Sequence, residues 1–268
     1  MRAPRHAAAL AVCLALFGAG AARAAGPYTE SGHAPGVVAE WATSVVAFDR
    51  GPIDIANPGG GDASFGAPEY VLGPADNDEF DVFSLGDGGW ITLFFAGGIA
   101  NQAGDDFAVF ENGFFAPGGL YAELAFVEVS SNGVDFARFP ATSLRATPVA
   151  GGGTVDPSEY HNLAGKHPLN RGTGFDLGDL VGHPLIGQGK LDLADVAYVR
   201  LVDVIGNGTT LDAAGRAVYD PYSTPFPSSG FDADAVGAPE PDALAALGAG
   251  ALALSALARR RRSCALSR

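Results

Sequence analysis

Short alternating runs of apolar and polar residues, separated by glycine, proline and Asn-Gly pairs, recur along most of this chain. A period of two predicts β-strands. WITLFF, from Trp90 to Phe95, follows the turn-forming GDGG, and DFAVFEN, from Asp106 to Asn112, follows NQAGD. LAFVEVSSNG alternates from Leu124 up to an Asn-Gly turn, after which DFARF resumes. VAYVRLVDV is the clearest strand, with Val196, Tyr198, Arg200 and Val202 on one face and Ala197, Val199, Leu201 and Asp203 on the other. Both faces are largely apolar, which predicts a strand covered on both sides. GVVAEWATSVVAF from Gly36 and GFDLGDLVG from Gly174 read as helical instead. No repeat of fixed period interrupts the pattern. The expected class is mainly β, built as a two-sheet jelly-roll β-sandwich.

The two ends break this pattern. Arg2 and Arg5 precede an apolar stretch from Ala7 to Ala22, and Ala22-Arg23-Ala24 has the small-x-small form of a cleavage site. Residues 1–24 therefore read as a secretory signal peptide, a helix removed on export. Near the other end, Ala243 to Ala258 carries no charge and ends at Arg259 to Arg262. As a helix this stretch is about 24 Å long, short for a hydrocarbon core of about 30 Å but long enough to cross where flanking residues snorkel. The arginines would hold its end in the cytoplasm. The expected layout is a β-sandwich surface domain over 26–237, a tail over 238–262 with its transmembrane segment at 243–258, and a cytoplasmic end at 263–268. The body then lies outside the cytoplasmic membrane.

The order Pro239-Glu240-Pro241, apolar helix, then Arg259, Arg260, Arg261 and Arg262 resembles the PEP-CTERM sorting signal of Gram-negative bacteria. That resemblance implies recognition by a membrane-embedded exosortase. It also implies anchorage in the cytoplasmic membrane before processing, followed by delivery to the cell surface or an extracellular polysaccharide matrix.

Charge narrows the choice of partners. Of the 16 Lys and Arg, eight lie in the terminal segments (Arg2, Arg5, Arg23, the four tail arginines and Arg268), whereas only Glu240 and Asp242 of the 30 Asp and Glu do. A body this acidic excludes nucleic acid and favours cations. Cys13 and Cys264 both lie outside the body, so no disulfide staples it. Hard cations such as Ca²⁺ take oxygen ligands from short acidic loops. Asp76, Asn77, Asp78, Glu79 and Asp81 form one such loop, Asp105, Asp106, Glu111 and Asn112 a second group, and Asp232 and Asp234 fall on one side of a strand. A structural Ca²⁺ is expected, with Glu111, Asn112, Asp232 and Asp234 as its ligands.

Catalytic motifs are missing from the sequence. It has no Gly-x-Ser-x-Gly elbow, no His-Glu-x-x-His helix and no phosphate-binding glycine loop. His161 and His167 flank NLAGK and read as surface polar residues. A non-enzymatic role is therefore expected. Phe114, Phe115 and Tyr121 accompany Pro117, Gly118 and Gly119, and YDPYSTPFPSSGF sets Tyr219, Tyr222, Phe226 and Phe231 among prolines. Aromatic faces beside carboxylates and amides suit a sugar ring, so Phe115, Tyr121, Tyr219 and Tyr222 are the candidate ligand-binding residues.

FVEVSSNGVDFARF, YVRLVDVIG and GFDADAVG together resemble the discoidin or galactose-binding jelly roll. SLGDGGWITLFF, GDDFAVFENGF, YDPYSTPF and GFDADAVG are similar to a group of bacterial cell-surface proteins of undefined activity. These resemblances imply an exported, surface-sorted binding or matrix protein associated with extracellular polysaccharide. The alternatives are a small-molecule capture module or, third, a polysaccharide-acting enzyme.

Overall fold

Two antiparallel sheets carry the fold, in a computed structural model that describes residues 26–76 and 78–239. The strands in chain order are β1 (Val38–Trp41), β2 (Ser44–Asp49), β3 (Phe83–Ser84), β4 (Trp90–Ile99), β5 (Phe107–Glu111), β6 (Phe114–Ala116) and β7 (Gly119–Tyr121). They continue with β8 (Ala125–Ser130), β9 (Ala137–Arg138), β10 (Thr142–Ser143), β11 (Tyr160–His161), β12 (Thr173–Phe175), β13 (Val196–Asp203) and β14 (Asp232–Pro239). The first sheet runs β1-β14-β5-β12, with β3 also paired to β14. The second runs β2-β4-β13-β8-β9. β6–β7 and β10–β11 are separate two-stranded pairs.

The main apolar cluster takes side chains from both sheets. Phe107, Val109, Phe175, Ala233 and Val236 come from the first, and Ile91, Leu93, Val127, Val129, Val199 and Leu201 from the second. Phe107 stacks on Phe175 at 5.4 Å, and Phe139 meets both rings edge-on at 5.8 and 5.1 Å, an arrangement favoured by the ring quadrupoles. A second cluster, including Leu120, Phe126, Tyr160 and Val204, lies under the long connections. A third joins Ala75, Ala108, Phe110 and Ala235, with Val38 and Trp41 against it.

The strand expectations hold in place: the four predicted runs become β4, β5, β8 with β9, and β13. The segment from Gly36 corrects the helical expectation, because it forms β1 and β2. Val37, Val38, Val45 and Val46 are β-branched and favour extended backbone. Pairing with β14 and β4 then outweighs the helix-like spacing. GFDLGDLVG is helical only over one 3₁₀ turn, Leu177–Leu180, capped by Asp176, and its start belongs to β12. Beyond the register shift that follows the buried Val196, β13 is buried on one face only, at Val199, Leu201 and Asp203. On its other face the Arg200 guanidinium lies 3.6 Å from the Phe136 ring centroid and 4.8 Å from that of Trp90.

Among the described residues no helix is long and apolar enough to cross a membrane. The expected signal peptide, the segment 243–258, Glu240, Pro241 and Arg259 to Arg262 lie outside the described residues. Pro239 ends β14, opposite Val38.

Candidate functional site

Strand ends gather acids at one end of the sandwich. Glu111 closes β5, and Ala233, beside Asp232, faces it across the antiparallel pairing with β14. Asp203 closes β13 opposite Ala125, so Glu123, two residues earlier, falls nearby. Asp220 accepts the Leu124 N–H at 2.8 Å. All five are buried.

Backbone amides satisfy part of this group. Asp203 accepts from Phe231 N at 2.7 Å and Gly88 N at 2.8 Å, and Glu111 accepts from Gly113 N at 2.8 Å. Glycine makes the approach possible. Gly206, at φ +75°, and Gly230, at φ +72°, would each press a Cβ into contact with a carboxylate, that of Asp220 and Asp203 respectively. Burial disfavours the charged forms of Glu111, Glu123, Asp203 and Asp220 and holds all four well above the usual carboxylate range, and the neighbouring acids push the same way. Asp232 is pushed up to about 6, again by burial, while bonds from Ser84 and Asn112 and the charge of Arg50 pull it down.

An open cleft of about 300 Å³ leads to this group. Asn112, Glu123 and Asp232 lie along it with Tyr121, whose hydroxyl donates to Glu123 Oε1 at 3.5 Å. Tyr121 stacks on Phe114 at 5.0 Å. The rim is aromatic and open: Phe80 is 64%, Phe114 56% and Phe226 62% exposed. Asn112 Nδ2 donates to Asp232 Oδ2 at 3.3 Å and to the Glu79 carbonyl at 3.0 Å, joining two walls of the cleft.

The sequence candidates divide around this geometry. Glu111, Asn112, Asp232 and Tyr121 come together, and Phe115 projects from the adjoining β6–β7 hairpin at 72% exposure. Asp234 lies two residues along β14, buried and acted on by Asp76 and Asp81 of the preceding acidic loop. Tyr219 and Tyr222 do not join the cleft. Tyr219 packs on the second apolar cluster, with its carbonyl accepting the Tyr160 hydroxyl at 2.7 Å. The Tyr222 hydroxyl donates to Asp54 at 2.9 Å. Sequence reasoning missed Glu123, Asp203 and Asp220. Asp203 did leave a signal, since it shares the apolar face of VAYVRLVDV with Val199 and Leu201, where a charge has no solvent.

A second cavity, of about 430 Å³, takes in both His161 and His167; it corrects the surface reading of His167, while the His161 side chain remains 38% exposed. Both line it with His33, Lys166, Glu30 and Asp179. His161 stacks on Tyr28 at 4.8 Å. Burial lowers the His167 pKa to about 4. Lys166, buried, bonds Glu30 at 2.7 Å and the Tyr160 carbonyl at 2.8 Å. As they stand, no three His, Cys, Asp or Glu among the described residues are arranged to hold a metal ion. No protein-family model matches the chain, and no curated protein matches it.

Proposed function

We propose that this chain is an exported, surface-sorted, non-catalytic binding or matrix protein whose partner is extracellular polysaccharide, taken up in the aromatic cleft. One observation carries the reading: exposed aromatic faces at Phe80, Phe114 and Phe226 surround Asn112, Glu123 and Asp232 in a single cleft. Sugar rings pair C–H faces with aromatic rings and hydroxyl edges with carboxylates and amides, and the cleft offers both. The strand orders support a jelly-roll assignment. Chain-order strands β1, β4, β5, β8, β9, β12, β13 and β14 fall into two sheets ordered β1-β14-β5-β12 and β4-β13-β8-β9, with β2 added at an edge. Delivery rests on the tail, through processing by an exosortase-type enzyme after anchorage by the apolar segment 243–258.

The test is an oligosaccharide array followed by calorimetry on the full-length protein in non-ionic detergent. Retention of a glycan is expected, and Phe114→Ala and Phe226→Ala should each weaken it about tenfold, the value of one aromatic contact. Binding unchanged in both variants, or no glycan retained, overturns the reading. Capture of a small non-sugar solute would favour the alternative, and release of reducing ends would restore an enzyme.

A further inference from the structure

Asp234 carries an oxygen for which the fold supplies no partner. The residue is 3% exposed, and its Oδ2 is buried without a hydrogen bond. The register of β14 against β5 shifts between Ala233 and Ala235, which makes Asp234 the inserted residue of a bulge. Bulges re-aim side chains. Here the neighbour is the acidic loop after Ala75, which is pinned to this strand because Ala75 packs in the same small cluster as Ala235 and Phe110.

That loop is wound by its own acids. Asp78 N–H donates to Asp76 Oδ1 at 2.7 Å, Phe80 N–H to Asp78 Oδ1 at 3.0 Å, and Asp81 N–H to the Asp78 carbonyl at 3.2 Å. The charges of Asp76 and Asp81 act on Asp234, that of Asp234 acts on Glu111, and Asp76 and Asp78 act on Asp81. The charge of Arg50 acts on Asp232, and among the described residues no base is one of the groups that act on Asp234. Negative groups thus converge on a buried, unpaired carboxylate oxygen.

We propose that Asp76, Asp81 and Asp234 bind one divalent hard cation, Ca²⁺, between the acidic loop and the β14 bulge. All the donors are oxygen, which selects a hard ion. Ca²⁺ accepts six to eight ligands in loose geometry and takes carbonyls and waters to complete its shell, whereas Mg²⁺ demands a tight octahedron. Carboxylates of like charge stand apart until an ion draws them together, so closure of the loop on the ion belongs to the proposal. A consequence follows for the cleft. The same loop carries Phe80 at the cleft rim and the Glu79 carbonyl bonded to Asn112, so the ion fixes one wall of it. This second step rests on the polysaccharide reading; the cation site does not.

Calcium is titrated calorimetrically into full-length protein stripped with chelator, with Mg²⁺ as the control ion. One equivalent of Ca²⁺ should bind and raise the melting temperature by about 5 °C at a hundredfold excess over Kd. Asp234→Asn should weaken binding at least about tenfold. The double substitution Asp76→Asn with Asp81→Asn, at one exposed and one half-buried loop position, should do the same without threatening the core, while Asp135→Asn, whose carboxylate is paired with Lys190, should leave binding unchanged. Terbium in place of Ca²⁺ locates the ion: Trp41 packs on the cluster shared by Ala75 and Ala235, so Trp41→Phe should remove the sensitised emission and Trp90→Phe should not. No calcium heat with no thermal shift, or undiminished binding in the Asp76/Asp81 variant, overturns the site. Glycan binding that is indifferent to chelator, with Ca²⁺ bound as described, overturns the coupling alone. Calcium binding with no glycan retained overturns the polysaccharide reading and leaves the site standing.

Discussion

Acids meet two different fates in this molecule. On the flank of the second sheet and around the larger cavity they are matched by bases. Glu128 lies 2.8 Å from Arg138 and 3.8 Å from Arg200, Asp212 lies 2.7 Å from Arg216, and Glu30 lies 2.7 Å from Lys166. At the end of the sandwich that holds the cleft, Glu111, Glu123, Asp203, Asp220, Asp232 and Asp234 are all buried, and Arg50 is the base whose charge reaches them, at Asp232. The net charge of −14 is therefore unevenly distributed. Where bases are at hand the carboxylates act as charges. Where they are not, Glu111, Asp203 and Asp220 accept backbone N–H groups, and burial drives them toward the protonated form.

The largest expected effect is a pH dependence that runs in opposite directions in the two regions. Glu123, Asp203 and Asp220 are held above the usual carboxylate range by burial and by one another, together with Asp87, Glu111 and Asp232, whereas unfolded carboxylates titrate near about 4. Between those values the folded chain holds more protons than the unfolded one, so stability falls as pH rises. Each group contributes up to about 1.4 kcal/mol per pH unit. The contribution is complete below about pH 4 and is lost as pH climbs through the folded pKa values. Glu30 and Asp212, whose pKa values are lowered, contribute in the other sense, and their stabilisation is lost as pH falls. Melting temperature measured in chelator from pH 4 to 9 should peak on the acid side of neutrality. A curve that rises through pH 8 would break the comparison.

Asp203 separates the two roles most sharply. Asp203→Ala strands the N–H groups of Gly88 and Phe231 in the interior and should cost about 2–5 kcal/mol, the desolvation of two buried donors. Asp203→Asn keeps an acceptor without a charge. Because the carboxyl is already driven toward its neutral form, the amide should cost about 1 kcal/mol or less at neutral pH. The opposite pattern is expected at Asp212, where Asn would give up charge-assisted bonds to Arg216. Chemical denaturation of the three variants decides this, and an Asp203→Asn loss as large as that of alanine would show that the charge itself is needed.

Much of the fold was legible because strands advertise themselves by alternation and turns by Asn-Gly and Gly-rich breaks. The exception, Gly36 to Phe48, shows why this signal fails locally. Its apolar spacing fits a helix, and what decides otherwise is pairing with β14, a strand almost 200 residues further on. The site was legible in fragments. Glu111, Asn112 and Asp232 sit in conspicuous acidic motifs, and topology brings them together. Glu123 and Asp220 carry no such mark, since each is a single acid in a connection, and they become part of the group only when β8 aligns with β13. Tyr219 and Tyr222 have the composition of a binding loop, yet Tyr219 packs on an apolar cluster and Tyr222 bonds Asp54.

Within the paired region, the depth of the base should set the next effect. Lys166 is buried and bonds Glu30 and the Tyr160 carbonyl. Lys166→Ala should cost about 1–3 kcal/mol through the lost hydrogen bonds and lost packing. Glu30 is half exposed and returns to water, which keeps the loss below that of a fully buried pair.

Arg138 marks the lower end of the scale. Its side chain is 44% exposed, and it reaches Glu128 while its guanidinium lies 4.3 Å from the Phe126 ring centroid. An exposed ion pair is worth about 1 kcal/mol or less and is screened by salt. Contact with the ring adds about 0.5–1 kcal/mol that screening affects less. Arg138→Ala should therefore destabilise by about 1 kcal/mol at low salt, and Arg138→Met, which keeps the stem over Phe126, by less. Raising the salt to 1 M should narrow the gap between wild type and Arg138→Met more than the gap between the two variants. If salt leaves both gaps unchanged, the ion pair contributes nothing measurable, and the acids of this flank are stabilised by packing rather than by their bases. Equal treatment of Glu128→Gln would then show whether the pairing that distinguishes this region from the acidic end is energetic or only geometric.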